Sequence, residues 1–279
     1  MPVFLEIMRP MNCLMAAIAA LIGMMIASGR DLSGPEAIIF SSLVFLSVFA
    51  ITGAGNAVND YFDRDIDSIN RPGRPIPSGR MTSEKALTWS GILFGAGCLS
   101  AGLVNQTCLV IAVLNSILLY FYARNLKTSF LAGNLCVAYL TGSTFIFGGA
   151  FAGLEGVTTN AVPFLLSFLA TMSREIMKDV EDVEGDRKGG ARTLPILAGE
   201  RLSGGLAIIF SLVAIALSYL APFGRLYLIV VTFADLFLLK AVLMILKGDA
   251  ARSQRALKMG MAIALMAFLA GALSLMKMI

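Results

Sequence analysis

The chain has 279 residues, of which 57% are hydrophobic and 14% are charged, with a mean hydropathy of +0.81 and a formal net charge of +4. Soluble domains are about half apolar and about one quarter charged, so this composition excludes a soluble protein and indicates an integral membrane protein surrounded by lipid. The sequence contains no histidine, which leaves carboxylates, Asn, Tyr and Lys to carry any acid–base or metal chemistry. We expect no nucleic-acid partner.

Apolar segments long enough to cross a bilayer, or nearly so, recur along the whole chain. They predict an all-α, multi-pass membrane protein with nine transmembrane helices around a central cavity, forming a single domain over residues 1–279. The first segment is not expected to be a cleaved signal peptide, because no small-residue cleavage site follows it. The segments are residues 10–28, 36–55, 83–104, 108–123, 131–151, 160–178, 203–222, 226–246 and 256–276.

The first polar stretch, NAVNDYFDRDID, directly follows the second apolar segment. Its aspartates, Asp60, Asp63 and Asp67, are three and four residues apart, which predicts one face of a helix, and Asn56 adds an amide oxygen one turn earlier. Like charges about 4 Å apart repel by about 4 kcal/mol at an effective dielectric near 20. Such a cluster implies bound cations or raised pKa values, and magnesium prefers oxygen ligands of this kind. An acidic helix end balanced by nearby arginines is the structural alternative.

Basic and aromatic side chains close to these aspartates in the predicted topology are candidate ligands for an anion. Tyr122 and Lys127 lie near the end of the fourth segment, on the same side of the membrane as the aspartates. Guanidinium and ammonium groups there would neutralise phosphate oxygens that no metal holds. Ordinary topology is the alternative explanation, since cytoplasmic loops are basic in any case. The basic candidates are Arg71, Arg74, Arg124, Lys127, Arg187, Lys188 and Arg192.

A second aspartate trio repeats the spacing of the first, in the stretch REIMKDVEDVEGD. It consists of Asp179, Asp182 and Asp186. The internal similarity continues downstream, where RPIPSGRMTSEKAL resembles RTLPILAGERLSGGL. Repeated halves of membrane proteins commonly share one site at their interface. We therefore expect two ordered cytoplasmic cap loops with short helices, at about residues 56–82 and 179–202, over one cavity.

The distribution of basic residues predicts the orientation in the membrane. Lys and Arg accumulate in the loops of one side, whereas the other side has only Arg30, Arg225 and Lys277. Because cytoplasmic loops are enriched in Lys and Arg, the N-terminus and both aspartate trios are expected to be cytoplasmic and the C-terminus outside. The resulting one-sided basic surface suits an anionic ligand or anionic lipid.

Other polar and small residues within the apolar segments have structural interpretations. Asp235 is expected to pair with Lys240 or with another helix. Gly91, Gly95 and Gly97 are interpreted as positions of close helix packing. The cysteines lack metal-ligand spacing and are interpreted as packing residues. They are Cys13, Cys98, Cys108 and Cys136.

The two motifs resemble those of a known family. NDYFDRDID followed by NRPGRPIPSG is similar to the first signature of the UbiA-type intramembrane prenyltransferases, and KDVEDVEGD followed by RKGGARTLPI is similar to the second. The resemblance extends over the whole chain. It implies magnesium ions, two in number, that hold the diphosphate of a prenyl donor. The metal ligands it implies are Asn56, Asp60, Asp63, Asp67, Asp179, Asp182 and Asp186, with Asp60, Asp67, Asp179 and Asp186 as the strongest catalytic candidates.

The resemblance also implies residues that bind substrate. Lys127 matches a family position associated with diphosphate. The pair Arg9–Pro10, with Asn12, resembles the start of the first helix of the family, near the acceptor. The substrate-binding candidates are then Arg9, Asn12, Asn56, Arg71, Arg74, Tyr122, Arg124 and Lys127.

Within the family, the motifs are most similar to the archaeal branch that transfers a geranylgeranyl group to the free hydroxyl of an isoprenoid glycerol phosphate. Transfer to an aromatic quinone precursor or to a chlorophyllide is the alternative within the family. A cation transporter using the aspartates as a translocation site is the alternative of another class, and a metal-dependent phospho-alcohol transferase with a cytidine-nucleotide donor is a further one.

Overall fold

Helices form the regular secondary structure of residues 2–29 and 35–276, the parts of the chain that the computed structural model describes. Arg30 and Lys277, which the sequence assigns to the outer side, lie outside these described residues. A π-helical turn spans Tyr122–Leu126 and a 3-10 turn spans Ala150–Ala152. The α-helices are α1 (Val3–Glu6), α2 (Pro10–Ser28), α3 (Pro35–Asn70), α4 (Ser83–Val104), α5 (Gln106–Phe121), α6 (Ala132–Gly149), α7 (Gly153–Thr159), α8 (Ala161–Glu181), α9 (Val183–Lys188), α10 (Leu194–Ala198), α11 (Glu200–Ser218), α12 (Gly224–Leu246) and α13 (Ala250–Leu275).

Within the described ranges, 8 helical stretches are long and apolar enough to cross a membrane. This confirms an all-helical, multi-pass membrane protein. They are α2, α3, α4, α5 with its π-helical turn, α6 through α7, α11, α12 and α13. The remaining predicted segment, 160–178, is α8, and its second half contains Arg174, Glu175 and Lys178. Charged groups are costly in the lipid core unless they face protein or water, so the count of nine transmembrane helices stays a prediction.

The described residues form two compact units. The first contains α1 to α5, the end of α6 and most of α7. Helix α3 packs against α2, α4 and α5, because its apolar face carries buried residues such as Val44, Val48 and Ile51. Cys108 belongs to the same apolar cluster and Cys13 to a second one, as expected for packing cysteines.

The second unit contains the start of α6 and α8 to α13. Helix α12 packs along α13, and α8 packs against α11 and α13. Met172 and Ile176 of α8 lie in its core with Leu238 and Leu257. The single domain over residues 1–279 and the central cavity stay predictions.

Close helix packing in the first unit depends on particular glycines. A Cβ on Gly97 of α4 would lie 2.5 Å from Cγ1 of Ile51, and one on Gly148 of α6 would lie 1.8 Å from the Ala20 carbonyl oxygen. Gly97 is therefore a packing position, as predicted. Gly91 and Gly95 face open space, so their interpretation as packing positions is wrong. The reason is that they lie on a different face of α4 from Gly97.

The two predicted cap regions have different structures. Residues 56–70 continue α3 without a break, so this helix is longer than the apolar segment 36–55, and only residues 71–82 form turns. The region 179–202 contains the end of α8, then α9 and α10, and the start of α11. Short helices were expected in both regions, and the structure has them only in the second.

Candidate functional site

The turn between α1 and α2 places Arg9 beside the first aspartate trio. Arg9 has a left-handed backbone, with φ of 53°, immediately before Pro10. This conformation is uncommon for a residue other than glycine, and the α region is disfavoured before proline. The Arg9 carbonyl accepts a hydrogen bond from the backbone N–H of Asn12 at 2.9 Å, at the start of α2. Uncommon backbone conformations of this kind are found at functional sites, where the surroundings stabilise them.

Two arginines neutralise the first and last aspartates of the first trio. The Arg9 guanidinium donates to the Asp60 carboxylate. Arg74, in the turns after α3, donates to Asp60 at 3.2 Å and also to Asp67. Both carboxylates are buried, with 3% of Asp60 and 5% of Asp67 exposed. Two buried carboxylates and two guanidinium groups therefore form one compact network, which offsets the repulsion between Asp60 and Asp67.

Asn56 and Asp63 complete the polar face of α3. Asn56 donates its side-chain N–H to the Met8 carbonyl at 2.7 Å. Because a backbone carbonyl can only accept, this bond fixes the orientation of the amide and leaves its oxygen, the atom suited to a metal, out of the contact. Asp63 is half-buried and accepts a hydrogen bond from Asn59 at 2.7 Å. Asn59 is not among the residues predicted from the sequence, although its i, i+4 spacing from Asp63 is a usable signal.

The N-terminal segment is also fastened to the turns and helix that follow α3. Glu6 accepts two hydrogen bonds from the Arg80 guanidinium, at 2.5 and 2.7 Å. Arg80 donates to the Gly73 carbonyl at 2.7 Å, and Trp89 donates to the Phe4 carbonyl at 3.2 Å. The hydrogen bond from Arg80 lowers the pKa of Glu6 below its ordinary value. These contacts hold the turn that carries Arg9, and no sequence pattern signalled them.

The second trio does not lie on one continuous helix, which corrects the prediction from its spacing. Asp179 belongs to α8, whereas Asp182 interrupts the helix and Asp186 lies on α9. The Asp182 carbonyl still accepts the Asp186 N–H at 2.9 Å, so the chain bends without losing that hydrogen bond. Asp182 is exposed, and Asp186 is half-buried. Burial and the neighbouring Asp182 carboxylate raise the pKa of Asp186, while Lys178 opposes the shift.

A polar strip on α8 leads to Asp179. Asn134 of α6, itself 6% exposed, donates to the Asp179 carboxylate at 2.8 Å. One turn before Asp179, the buried Glu175 accepts from Arg174. One turn earlier again, the hydroxyl of the fully buried Thr171 has no hydrogen-bond partner among the described residues. Spacings of four residues place Thr171, Glu175 and Asp179 on one side of the helix.

The remaining candidates lie in turns or at the surface. Tyr122 and Arg124 belong to the π-helical turn, a feature that occurs often at functional sites. Arg124, Arg71 and Asn12 are exposed, whereas Tyr122 and Lys127 are half-buried. Of the basic candidates, Arg74 contacts the carboxylates of Asp60 and Asp67, and Arg9 contacts that of Asp60. The roles of the other candidates therefore stay predictions.

The donor atoms of the first trio are suited to magnesium. Among the described residues, no three His, Cys, Asp or Glu side chains converge into a metal cage. Magnesium does not require such a cage, because it usually keeps several waters and binds one or two carboxylates together with substrate phosphates. Asp60 and Asp67 offer oxygen donors, are buried, and are already held beside cationic groups.

Asp235 has a structural contact in the second unit. It lies buried in α12 and accepts a hydrogen bond from the Ser218 hydroxyl of α11 at 2.8 Å. The sequence predicts that Asp235 pairs with Lys240 or with another helix, and its partner is Ser218 of another helix. Lys240 is exposed and lies over the Phe237 ring instead, with 5.9 Å between Nζ and the ring centroid.

Comparisons with known proteins agree with these motifs. Residues 16–270 match the UbiA prenyltransferase family. The chain is 53% identical to the digeranylgeranylglyceryl phosphate synthase of Methanothrix thermoacetophila over 267 residues, 96% of this chain and 98% of the relative.

Solved structures share the fold. A digeranylgeranylglyceryl phosphate synthase structure is 38% identical, with a TM-score of 0.82 and 98% of both chains covered. A UbiA homolog from Archaeoglobus fulgidus bound to GPP and Mg2+ has a TM-score of 0.70 at 17% identity, covering 94% of this chain and 99% of the other. The latter likeness is one of fold. By the family match over most of its length and the identity to its relatives, this chain belongs to the UbiA prenyltransferase family and is a prenyltransferase.

Proposed function

We propose that this prenyltransferase transfers a geranylgeranyl group from geranylgeranyl diphosphate to the free hydroxyl of geranylgeranylglyceryl phosphate, which forms the second ether bond of archaeal membrane lipids. The observation that carries the proposal is the 53% identity, over nearly the full length of both chains, to a digeranylgeranylglyceryl phosphate synthase. The basic residues near the first trio supply groups for two anionic substrates, a diphosphate and a phosphate monoester.

The donor site is proposed to use both aspartate motifs. Asp60, Asp67, Asp179 and Asp186 would hold two magnesium ions, and Asn56, Asp63 and Asp182 would complete the set of oxygen ligands. Magnesium, when bound, neutralises the negative charge that develops on the departing diphosphate. Asn134 supports this role of Asp179, because its hydrogen bond orients the carboxylate.

The chain's cationic side chains are proposed to bind phosphate oxygens. Arg74 contacts the carboxylates of both Asp60 and Asp67, and its planar guanidinium suits bidentate contacts with phosphate. Lys127 and Tyr122 would contact the diphosphate from the segment after α5. Arg71 and Arg124 are exposed and would take part in capturing the anionic substrates.

The acceptor is proposed to bind near Arg9 and Asn12. Its hydroxyl oxygen would form a bond to C1 of the prenyl group while the bond from C1 to the diphosphate oxygen breaks. The hydroxyl proton would pass to the released diphosphate or to a carboxylate. Arg9 would interact with the acceptor phosphate, since its guanidinium is already oriented toward the site through Asp60. Exclusion of water matters because water would otherwise capture the prenyl group.

The proposed orientation places the N-terminus and both motifs in the cytoplasm and the C-terminus outside. The distribution of basic residues supports it. Single cysteines introduced into a cysteine-free variant, one at position 71 and one at position 225, would test it in intact cells. A membrane-impermeant thiol reagent should label position 225 and not position 71. The reverse labelling would contradict this orientation.

A transfer assay with the purified protein tests the acceptor. Labelled geranylgeranyl diphosphate is supplied with magnesium and with geranylgeranylglyceryl phosphate or 4-hydroxybenzoate. We expect the label in the diether lipid. Label in prenylated hydroxybenzoate would establish the aromatic alternative. Release of cytidine monophosphate from a cytidine donor, or metal-dependent ion flux in proteoliposomes, without prenyl transfer in either case, would contradict the proposal.

A further inference from the structure

The two arginines beside the first aspartate trio occupy atoms that a metal ion would also need. Arg9 and Arg74 contact the carboxylates of Asp60 and Asp67, which are the atoms proposed to ligate magnesium. A guanidinium and a metal ion cannot both occupy the same side of a carboxylate oxygen. In this structure the two acids and the two bases balance in charge, so a free dication would gain little attraction from the network as a whole.

We propose that Arg9 and Arg74 are exchangeable counter-ions, which neutralise Asp60 and Asp67 until a divalent metal and the substrates arrive. They then transfer their hydrogen bonds from carboxylate to phosphate, Arg74 to the diphosphate of the donor and Arg9 to the phosphate of the acceptor. This inference rests on the proposed function and deepens it. It explains how two carboxylates stay buried before the substrate binds, since an uncompensated buried charge is strongly destabilising.

The burial of the four groups supports exchange. The side chains of Asp60 and Asp67 are 4% and 8% exposed, whereas those of Arg9 and Arg74 are 32% and 16% exposed. The acids are therefore fixed on α3, and the bases approach from more exposed segments, the turn before α2 and the turns after α3. Long side chains on turns can change partners without moving a transmembrane helix.

Exchange has a consequence that a simple phosphate-binding role lacks. An arginine that binds phosphate at a distance from the carboxylates has little effect on metal binding in the absence of phosphate. An arginine that organises the metal ligands would strengthen it. An arginine that competes with the metal must weaken it, so its removal should increase the affinity for free metal while it decreases the affinity for diphosphate.

The test uses full-length protein in detergent and Mn2+, a cation that shares the oxygen ligands of Mg2+ and can be followed by electron paramagnetic resonance. We expect Arg74→Gln to increase the affinity for Mn2+ alone by about tenfold, within the 5- to 150-fold range typical of coupled sites. The same variant should decrease the affinity for inorganic pyrophosphate in the presence of Mg2+. Arg64→Gln is the matched control, because Arg64 lies exposed on α3 and contacts neither carboxylate. It should leave both affinities unchanged.

Thermal unfolding supplies a second readout. In EDTA, Arg74→Gln should unfold at a lower temperature than wild type, and saturating Mn2+ should raise its unfolding temperature by more than it raises that of wild type. If Arg74→Gln does not fold, Arg9→Gln tests the same exchange at Asp60. Unchanged or weaker binding of Mn2+ alone in the folded variant would overturn the proposal.

These measurements do not depend on prenyl transfer. If the opposite changes in metal and pyrophosphate affinity occur but geranylgeranyl transfer to the glycerol phosphate does not, the exchange stands and the proposed function fails. If transfer occurs but removal of Arg74 weakens the binding of Mn2+ alone, the function stands and the exchange fails.

Discussion

Arg9 donates a hydrogen bond to Asp60, across a separation of 51 residues in the sequence. Arg9 has a left-handed backbone in the turn before α2, and Asp60 lies buried on α3. This pair joins the start of the chain to the first aspartate trio. A residue proposed to bind the acceptor and a residue proposed to bind the donor's metal are therefore in direct contact.

The first prediction concerns the metal ligands. Asp60→Asn keeps the size of the side chain and removes its charge, so we expect at least about a hundredfold loss of kcat, consistent with the loss of electrostatic stabilisation of the leaving group. Asp65→Asn is the matched control, because Asp65 lies exposed on the same helix. Its activity should equal that of wild type. Transfer rates at saturating substrate measure both, and a fully active Asp60→Asn would rule out this role.

The second prediction concerns the support of Asp179. Asn134→Leu removes the hydrogen bond at 2.8 Å while keeping the number and branching of the side-chain heavy atoms. Loss of a residue that hydrogen-bonds a metal ligand typically changes metal affinity or activity by about 10- to 100-fold, so the magnesium concentration for half-maximal transfer should rise within that range. A magnesium titration of the transfer rate gives the answer. An unchanged titration curve would show that the bond does not orient Asp179 for metal.

The third prediction concerns the attachment of the N-terminal segment. Glu6→Arg and Arg80→Glu each place like charges in contact, so each should displace the turn that holds Arg9 and raise the KM for the glycerol phosphate acceptor more than that for the prenyl diphosphate. The double variant restores opposite charges and should recover most of the acceptor KM. Steady-state kinetics with each substrate varied distinguish this from general destabilisation, which would lower the amount of active enzyme without a selective effect on one KM.

The fourth prediction concerns helix packing. Gly148→Ala would place a Cβ against the Ala20 carbonyl oxygen, at 1.8 Å before any relaxation. Overpacking of this kind costs about 1–3 kcal/mol, so the unfolding temperature should fall. Gly91→Ala is the control within another helix, because Gly91 faces open space. There alanine should be neutral or slightly stabilising, by up to about 1 kcal/mol from helix propensity. Equal effects of the two changes would contradict the close packing of Gly148 against Ala20.

The sequence predicted a large part of this protein because its signals are local. Apolar segments predicted the helices, since a helix that crosses lipid must satisfy its backbone hydrogen bonds internally. The spacing of Asp60, Asp63 and Asp67 correctly predicted one helix. The same spacing failed at Asp182, where α8 ends and α9 begins, because the spacing of aspartates alone does not report a break between two helices.

Composition and motif spacing by themselves determined the membrane class, the family resemblance and the aspartates as the candidate metal ligands. Only the tertiary structure decided which cations neutralise those aspartates. Arg9 and Arg74 were two candidates among many, and the fold pairs both with the buried carboxylates of α3 while Arg71 stays exposed. The physical reason is that an ion pair depends on distance and burial. Contacts such as that of Arg9 with Asp60 arise between residues far apart in the chain, where no periodicity reports them.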